Sequence, residues 1–330
     1  MTTSFTSLPY LDLSALRSPS PSSEELEGLS TRLNEIFKTV GFAYLFNAPI
    51  SFDHRQVFGI ADKFFGSPQE AKMKLAKKSF VSGNKNTYRG FFPAQQGSDN
   101  LKEGFEIGPT PAPPPSDIKS NSPIVLTESN VFPDNSMAIT TQRLYSELQS
   151  LSTTLLALLA VSLGKAPEAF TDLLSNSVST LRLLHYPSIT PPAPAQELNC
   201  TPHTDSGLLT LLHQDATGGL EVRNANGDWI PAPYVPGSIV VNIGDLMAKL
   251  SGGMFVATMH RVRSSGKSRY SVPFFCEPGV DAKVPGEKEG ELVRYEEFVL
   301  GKMGTWVEFQ DLEEDAGFER TTSTAVEVGA

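Results

Sequence analysis

The chain has 330 residues, 39% hydrophobic and 19% charged, an ordinary globular balance with enough apolar material for a sizeable core in one large domain or two modest ones. Its 27 basic against 37 acidic residues give a formal charge of −10, which argues against non-specific nucleic-acid binding. No apolar run approaches the ~20 residues of a membrane span, the amino terminus lacks the basic and apolar regions of a secretion signal, and two cysteines, Cys200 and Cys276, make no disulfide framework, so a cytoplasmic protein is expected.

Residues 8–13 (LPYLDL) read as a short strand closed by Ser14. A helix is predicted over about 22–40. Ser23 precedes Glu24 and Glu25, then Leu26, Leu29, Leu33, Ile36 and Phe37 recur at helical spacing, and Gly41 ends it. The aromatic run 42–46 predicts a strand, and further helices are expected over about 52–65 and 68–75. Residues 108–133, with PTPAPPPSD, read as an ordered surface loop. A long helix should cover 136–163. After Leu173 the pattern turns to short β-rich runs: LRLLHYP, LLTLLHQD, LEVRN, SIVVNIGD and YSVPFFCEP. Helices followed by many strands predict an α+β protein with one sandwich or barrel. No internal repeat is present.

Five histidines occur, at 54, 185, 203, 213 and 260. His203-Thr204-Asp205 precedes a strand-like run, and i, i+2 side chains of a strand share a face. Alone this means little, because five histidines and 37 acids in 330 positions give about half a His-x-acid triplet by chance. A hydrogen-bonded surface pair is the plain alternative. His260, in the strand candidate ATMHRV, changes the weighing. Two imidazoles and a carboxylate form the two-His-one-carboxylate set of non-haem Fe(II) oxygenases, which leaves positions open for a bidentate cosubstrate and O2. A structural zinc site would want four closed ligands, usually rich in cysteine. Arg269 and Ser271 follow after SSGKS, a predicted hairpin turn, and should face inward on the adjacent strand. A guanidinium takes a carboxylate with two parallel bonds, and a buried one needs an anion. A dicarboxylate that chelates the metal at one end and meets Arg269 at the other would supply it.

With HTDSGLLTLLHQDATGGLEV, NIGD, HRV and RYSVPFF in this order, LHYP before them, and LPYLDLS, GFAYLFN, FFGSPQEAKMKL and YRGFFP nearer the amino terminus, the chain resembles the Fe(II)- and 2-oxoglutarate-dependent dioxygenases of the isopenicillin N synthase-like group over roughly 8–285. The resemblance implies a double-stranded β-helix (jelly roll) flanked by helices from the first half. It divides the chain into an amino-terminal region (1–135), a jelly-roll core (136–290) and a carboxy-terminal helix and tail (291–330) of one compact unit. By position it implies His203, Asp205 and His260 as iron ligands, and Arg269, Ser271 and Tyr186 as the 2-oxoglutarate contacts. The activity implied is oxidation of a small molecule, by hydroxylation, desaturation or ring rearrangement, with Fe(II), 2-oxoglutarate and O2 as cofactor and cosubstrates and with release of succinate and carbon dioxide. An Fe(II) oxidase that uses O2 without 2-oxoglutarate and a non-catalytic binding protein on the same fold are the alternatives.

The chain departs from the group at Leu184, where many relatives carry asparagine, at GFAYLFNAP, which lacks a familiar histidine, and at Leu250-Ser251-Gly252-Gly253. His213 is expected to face core or solvent, His185 to point away from the Tyr186 face, and His54 to have no role. Asn242, Gly244 and Asp245 are expected to build a turn, with Asp245 taking backbone donors. The tail 317–330 should fray. The substrate pocket is placed at Leu212, Leu220, Val262, Pro273 and Phe275, with Tyr88, Arg89 and Phe92 from the first half. That largely apolar lining suits a small molecule of secondary metabolism, and the wording of the motifs resembles fungal members of the group that act on aromatic or polyketide-like compounds. Arg89 either anchors a substrate anion or forms a salt bridge to a neighbouring loop.

Overall fold

A computed structural model describes residues 2–94, 102–116, 122–188, 198–288 and 290–303, so the tail 317–330 lies outside the described residues. The chain opens with β1 (Tyr10–Asp12) and α1 (Ser23–Thr39). Ser22 caps α1 in a reciprocal box, its side chain accepting from the Glu25 N–H while the Glu25 carboxylate accepts from the Ser22 N–H. Leu29, Leu33, Ile36 and Phe37 form the buried face, as their spacing predicts. Gly41, at φ +74°, then turns the chain into β2 (Phe42–Phe46); a Cβ there would sit 2.3 Å from the Val256 carbonyl oxygen.

Next come α2 (His54–Phe65), boxed by Asp53 and Gln56, and the short α3 (Gln69–Met73). Two strands that the hydrophobic pattern does not signal follow, β3 (Gly90–Phe92) and β4 (Glu103–Ile107). In the 108–133 loop Asn130 ties the backbone of Gly108, donating to its carbonyl at 2.9 Å and accepting from its N–H at 2.6 Å. Glu128 accepts from the N–H groups of Thr87 and Tyr88, so the loop is anchored at both places. The long helix α4 (Asn135–Ser162) starts at an Asp134 cap. By length and composition it could cross a membrane, but Leu144, Leu148, Leu151, Leu155 and Leu159 are buried in the core beside α1. The short α5 (Glu168–Thr171) leads into the strand-rich half.

That half contains β5 (Thr180–Tyr186), β6 (Leu198–His203), β7 (Leu209–Gln214), β8 (Leu220–Arg223), β9 (Trp229–Pro231) and β10 (Ile239–Ile243). It ends with α6 (Asp245–Leu250), β11 (His260–Arg263), β12 (Arg269–Cys276), β13 (Lys283–Pro285), β14 (Leu292–Arg294) and α7 (Tyr295–Met303). Eight strands form one sheet in the order β1-β2-β10-β7-β12-β5-β4-β3, and four form a second, β6-β11-β8-β9. Phe42, Tyr44 and Val240 from the large sheet pack on Leu220, Val222 and Val262 from the small one, which makes the α+β jelly roll. The helices α2 and α4 cover the outer face of the large sheet. Residues before 135 supply β1 to β4, half of that sheet.

One local expectation fails. The strands β11 and β12 are not a hairpin, since β11 belongs to the small sheet and β12 to the large one. SSGKS carries the chain between sheets, a connection that turn composition cannot tell from a hairpin.

Candidate active site

The antiparallel pairing of β6 and β11 places His203 directly opposite His260. Their rings lie 4.2 Å apart, and Asp205 Oδ1 stands 3.9 Å from His203 Nε2 and 3.8 Å from His260 Nε2. One ligand atom from each of the three falls within 4.8 Å of the others. His203 is the last residue of β6, so Asp205 shares its side by the bend that takes the chain to the opposite sheet, not by strand alternation.

Hydrogen bonds outside the trio fix which atoms face inward. His203 Nδ1 meets the Thr201 carbonyl at 2.8 Å and His260 Nδ1 the Thr258 carbonyl at 3.2 Å, so each ring donates from Nδ1 and Nε2 is the nitrogen left for a metal to take up. Burial pushes His260 down to about 4, which keeps it neutral. Asp205 Oδ2 accepts from Thr210 Oγ1 at 2.6 Å and from Asn242 Nδ2 at 2.8 Å, leaving Oδ1 toward the imidazoles. Burial would raise this carboxyl, but the two histidines and these two donors hold it below its ordinary value. Asn242 is therefore a buried strand residue that orients Asp205, not part of a turn. Gly244 has a steric reason, since a Cβ there would lie 2.2 Å from the Gly207 carbonyl oxygen.

Along β12, Val272 and Phe274 point into the helix-side core, so Arg269, Ser271, Pro273 and Phe275 face the barrel interior. Arg269 is 1% exposed. Its Nε donates to the Gly218 carbonyl at 2.7 Å and its guanidinium lies 5.0 Å from the Tyr186 ring, which is opposite it on β5. Nη1 is buried without a partner, and no carboxylate pairs with Arg269 among the described residues. Ser271 is opposite Leu184, so the position where relatives carry asparagine is apolar.

Residues 177–278 match the 2OG-Fe(II) oxygenase superfamily, and residues 8–135 match the family described as non-haem dioxygenase in morphine synthesis N-terminal. A homoarginine-6-hydroxylase of Oryza sativa subsp. japonica is 32% identical, covering 92% of this chain and 96% of its own. A 2-oxoglutarate-dependent dioxygenase of Didymella fabae is also 32% identical, over 91% and 97%. The chain belongs to the 2OG-Fe(II) oxygenase superfamily. Among solved structures, a full-length Neurospora crassa protein in complex with alpha-KG superposes with a TM-score of 0.74 at 25% identity, covering 92% of this chain and 98% of that one. The protein is an Fe(II)- and 2-oxoglutarate-dependent dioxygenase acting on a small molecule, and neither an oxidase without cosubstrate nor a silent binding protein is favoured.

In this oxygenase a cavity of about 440 Å³ opens at the metal group. Of the eight residues placed in the pocket by motif position, Tyr88 and Phe275 line it. Arg89 does not: it is fully buried, with Nη1 donating to Thr180 Oγ1 at 2.7 Å and Nη2 to the Val178 carbonyl at 2.8 Å, so it is neither a substrate anchor here nor a loop salt bridge. Phe92 packs on Leu184 and Tyr186. Leu212, Leu220 and Val262 lie in the core between the sheets, and Pro273 pairs with Leu212 there. These positions do face inward, but Val262 and Leu220 sit two residues down the strands from His260 and its partner Val222, below the mouth.

The lining is mixed, with more charged groups than expected. Lys102, Arg182, Asp245, Glu277 and Lys302 contribute to it. Asp245 takes Lys302 Nζ at 2.8 Å instead of backbone donors. Arg182 pairs with Glu106 and lies 5.2 Å from the Phe275 ring. The alternation that selects Tyr186 and Phe275 also selects Arg182 and Glu277, but neither falls in the motif. Of the remaining three histidines, two are hydrogen-bonded and the third, His213, has a buried Nδ1 without a hydrogen-bond partner. His185 turns away from the Tyr186 face to meet Glu103 at 2.8 Å, as alternation predicts. His54 joins Tyr234 and the Ser238 carbonyl. His213 is core-facing, 5.5 Å from His54, and burial pushes it down to about 3.

Proposed function

We propose that this dioxygenase holds Fe(II) through His203 Nε2, Asp205 Oδ1 and His260 Nε2, seats the distal carboxylate of 2-oxoglutarate on Arg269 beside Ser271 and Tyr186, and oxidises a C–H bond of a small polar molecule in the cavity above. The observation that carries this is Arg269. A guanidinium buried with an unpaired Nη1 and no carboxylate partner among the described residues is costly in the free protein, and a dicarboxylate cosubstrate supplies the missing anion. When bound together, Fe(II), 2-oxoglutarate and O2 supply an oxidant able to attack C–H bonds, with succinate and carbon dioxide released. The protein's own part is geometric. Thr201 and Thr258 set both imidazole tautomers, Thr210 and Asn242 keep one Asp205 oxygen occupied, and the barrel walls exclude water around Arg269.

The charged groups in the lining favour a polar, nitrogen-bearing substrate over the aromatic or polyketide-like one that the motif wording suggests. Homoarginine, in the name of the rice relative, and thymine, bound in another complex of the Neurospora crassa protein, both have that character.

An anaerobic titration of the Fe(II)-loaded protein with 2-oxoglutarate tests the reading. A visible charge-transfer band should appear, vanish in Asp205→Ala and require more 2-oxoglutarate in Arg269→Lys, which keeps the charge but loses the planar fork. Iron binding with no band would reject it.

A further inference from the structure

Three carboxylates line the cavity: Asp205, Asp245 and Glu277. Asp205 belongs to the metal group and Asp245 is paired with Lys302. Glu277 has no ion pair among the described residues, although it is only 6% exposed. Its Oε1 accepts from the Tyr295 hydroxyl at 2.8 Å and its Oε2 from Thr180 Oγ1 at 3.1 Å. Arg89 stops one residue short, since its Nη1 reaches the same Thr180 hydroxyl and not the carboxylate.

The group is held rigidly. The Glu277 N–H donates to Ser179 Oγ at 2.9 Å and its carbonyl accepts from Ser177 Oγ at 2.6 Å. Gly207, two residues past Asp205, packs so closely that a Cβ there would lie 3.3 Å from Glu277 Cγ. A fixed acceptor therefore stands on the cavity wall beside the metal loop. Two neutral hydroxyls satisfy part of its capacity, and a carboxylate has about four lone-pair sites. Burial raises its pKa, against the lowering by the Tyr295 and Thr180 hydroxyls and by the charges of Arg89 and Arg182.

We propose that Glu277 is the recognition group for substrate nitrogen, so that the oxygenase takes a small molecule whose cationic or N–H-bearing nitrogen donates to this carboxylate. Arg182 lines the same cavity and is oriented by Glu106, which suits a carboxylate or carbonyl on the same molecule. Amino acids with basic side chains, guanidines and cyclic amides meet both requirements. A hydrocarbon ring system meets neither, and it would leave the wall's polar groups desolvated and unmatched.

This inference rests on the oxygenase reading, and the two can fail separately. The probes are two pairs, 5-guanidinopentanoate with heptanoate and thymine with 1,3-dimethylthymine, added to full-length protein loaded with Fe(II) and 2-oxoglutarate under nitrogen. Binding is followed by calorimetry and by perturbation of the charge-transfer band. A charge-assisted hydrogen bond should make the nitrogen-donating member of at least one pair bind about tenfold tighter or more, a margin that falls to about twofold in Glu277→Gln. Failure of both nitrogen compounds to bind, equal binding within both pairs, or an unchanged margin in the variant overturns the proposal. If Glu277→Gln does not fold, Glu277→Asp retracts the charge by one methylene, and an unchanged margin there overturns it equally. The band in the unmodified protein before any probe is added reports on the oxygenase reading alone.

Discussion

Asp205 can present Oδ1 to a metal only while something holds Oδ2, and the structure assigns that task to Thr210 and Asn242 at 2.6 and 2.8 Å. Thr210→Val is the cleanest perturbation. It keeps a β-branched side chain of nearly the same shape on β7, where Thr210 is 4% exposed, and deletes only the hydroxyl. A hydrogen bond to a charged acceptor is worth about 1.5–3 kcal/mol. Were that constraint lost entirely from ligand orientation, Fe(II) binding would weaken about 10- to 100-fold, the usual scale for partners behind a metal ligand. Asn242→Ala should act in the same direction. Because both donors share one oxygen, the double variant should fall short of the product of the single effects. Anaerobic Fe(II) titration of each folded apoprotein measures this, with thermal unfolding alongside to separate loss of fold from loss of affinity. Unchanged Fe(II) affinity in both single variants, with normal unfolding, would refute the idea that these donors align Asp205.

Three further outcomes are expected. Replacing Arg269 with Ala should abolish measurable 2-oxoglutarate affinity while leaving Fe(II) affinity within about threefold, since the lost term is a buried charge pair remote from the ligands; parallel losses in both titrations would contradict this. Gly244→Ala should damage the metal loop through its 2.2 Å conflict with the Gly207 carbonyl, seen as weaker Fe(II) binding and a lower melting temperature, and a variant that behaves like the unmodified protein would show that the loop yields freely. His213 is held neutral by burial at about 3 against about 6.5 when unfolded, so its contribution is complete above pH 6.5 and is lost as pH falls toward 3, about 2 kcal/mol by pH 5. His213→Leu should flatten that part of the stability profile in denaturant melts at pH 7.5 and 5, and identical slopes in the two proteins would rule it out.

The legible part of this protein is local and periodic. Helix α1 could be read from Leu29, Leu33, Ile36 and Phe37, and its end from Gly41, because helical spacing and a left-handed glycine are properties of the chain itself. That Arg269 and Ser271 share a face followed from alternation along one strand, as did the turn of His185 away from Tyr186, although the hairpin from which their inward direction was argued does not form. His203, Asp205 and His260 were legible because metal chemistry restricts residue type and the motif preserves their order.

What the sequence determined by itself is therefore the fold class and the choice of candidates, the His203, Asp205 and His260 trio for a metal and Arg269 for the proposed cosubstrate contact, each selected by periodicity or by a motif with a chemical reason. Only the tertiary structure decided how deep each inward residue sits. Sheet register put Val262 and Leu220 in the core below His260, while it raised Arg182 and Glu277 to the cavity wall. Thr210 and Asn242 became Asp205's partners only when β7 and β10 paired side by side, Thr210 opposite Asn242. A contact between residues 37 positions apart depends on register and sheet order, and neither is encoded in the spacing of any single strand.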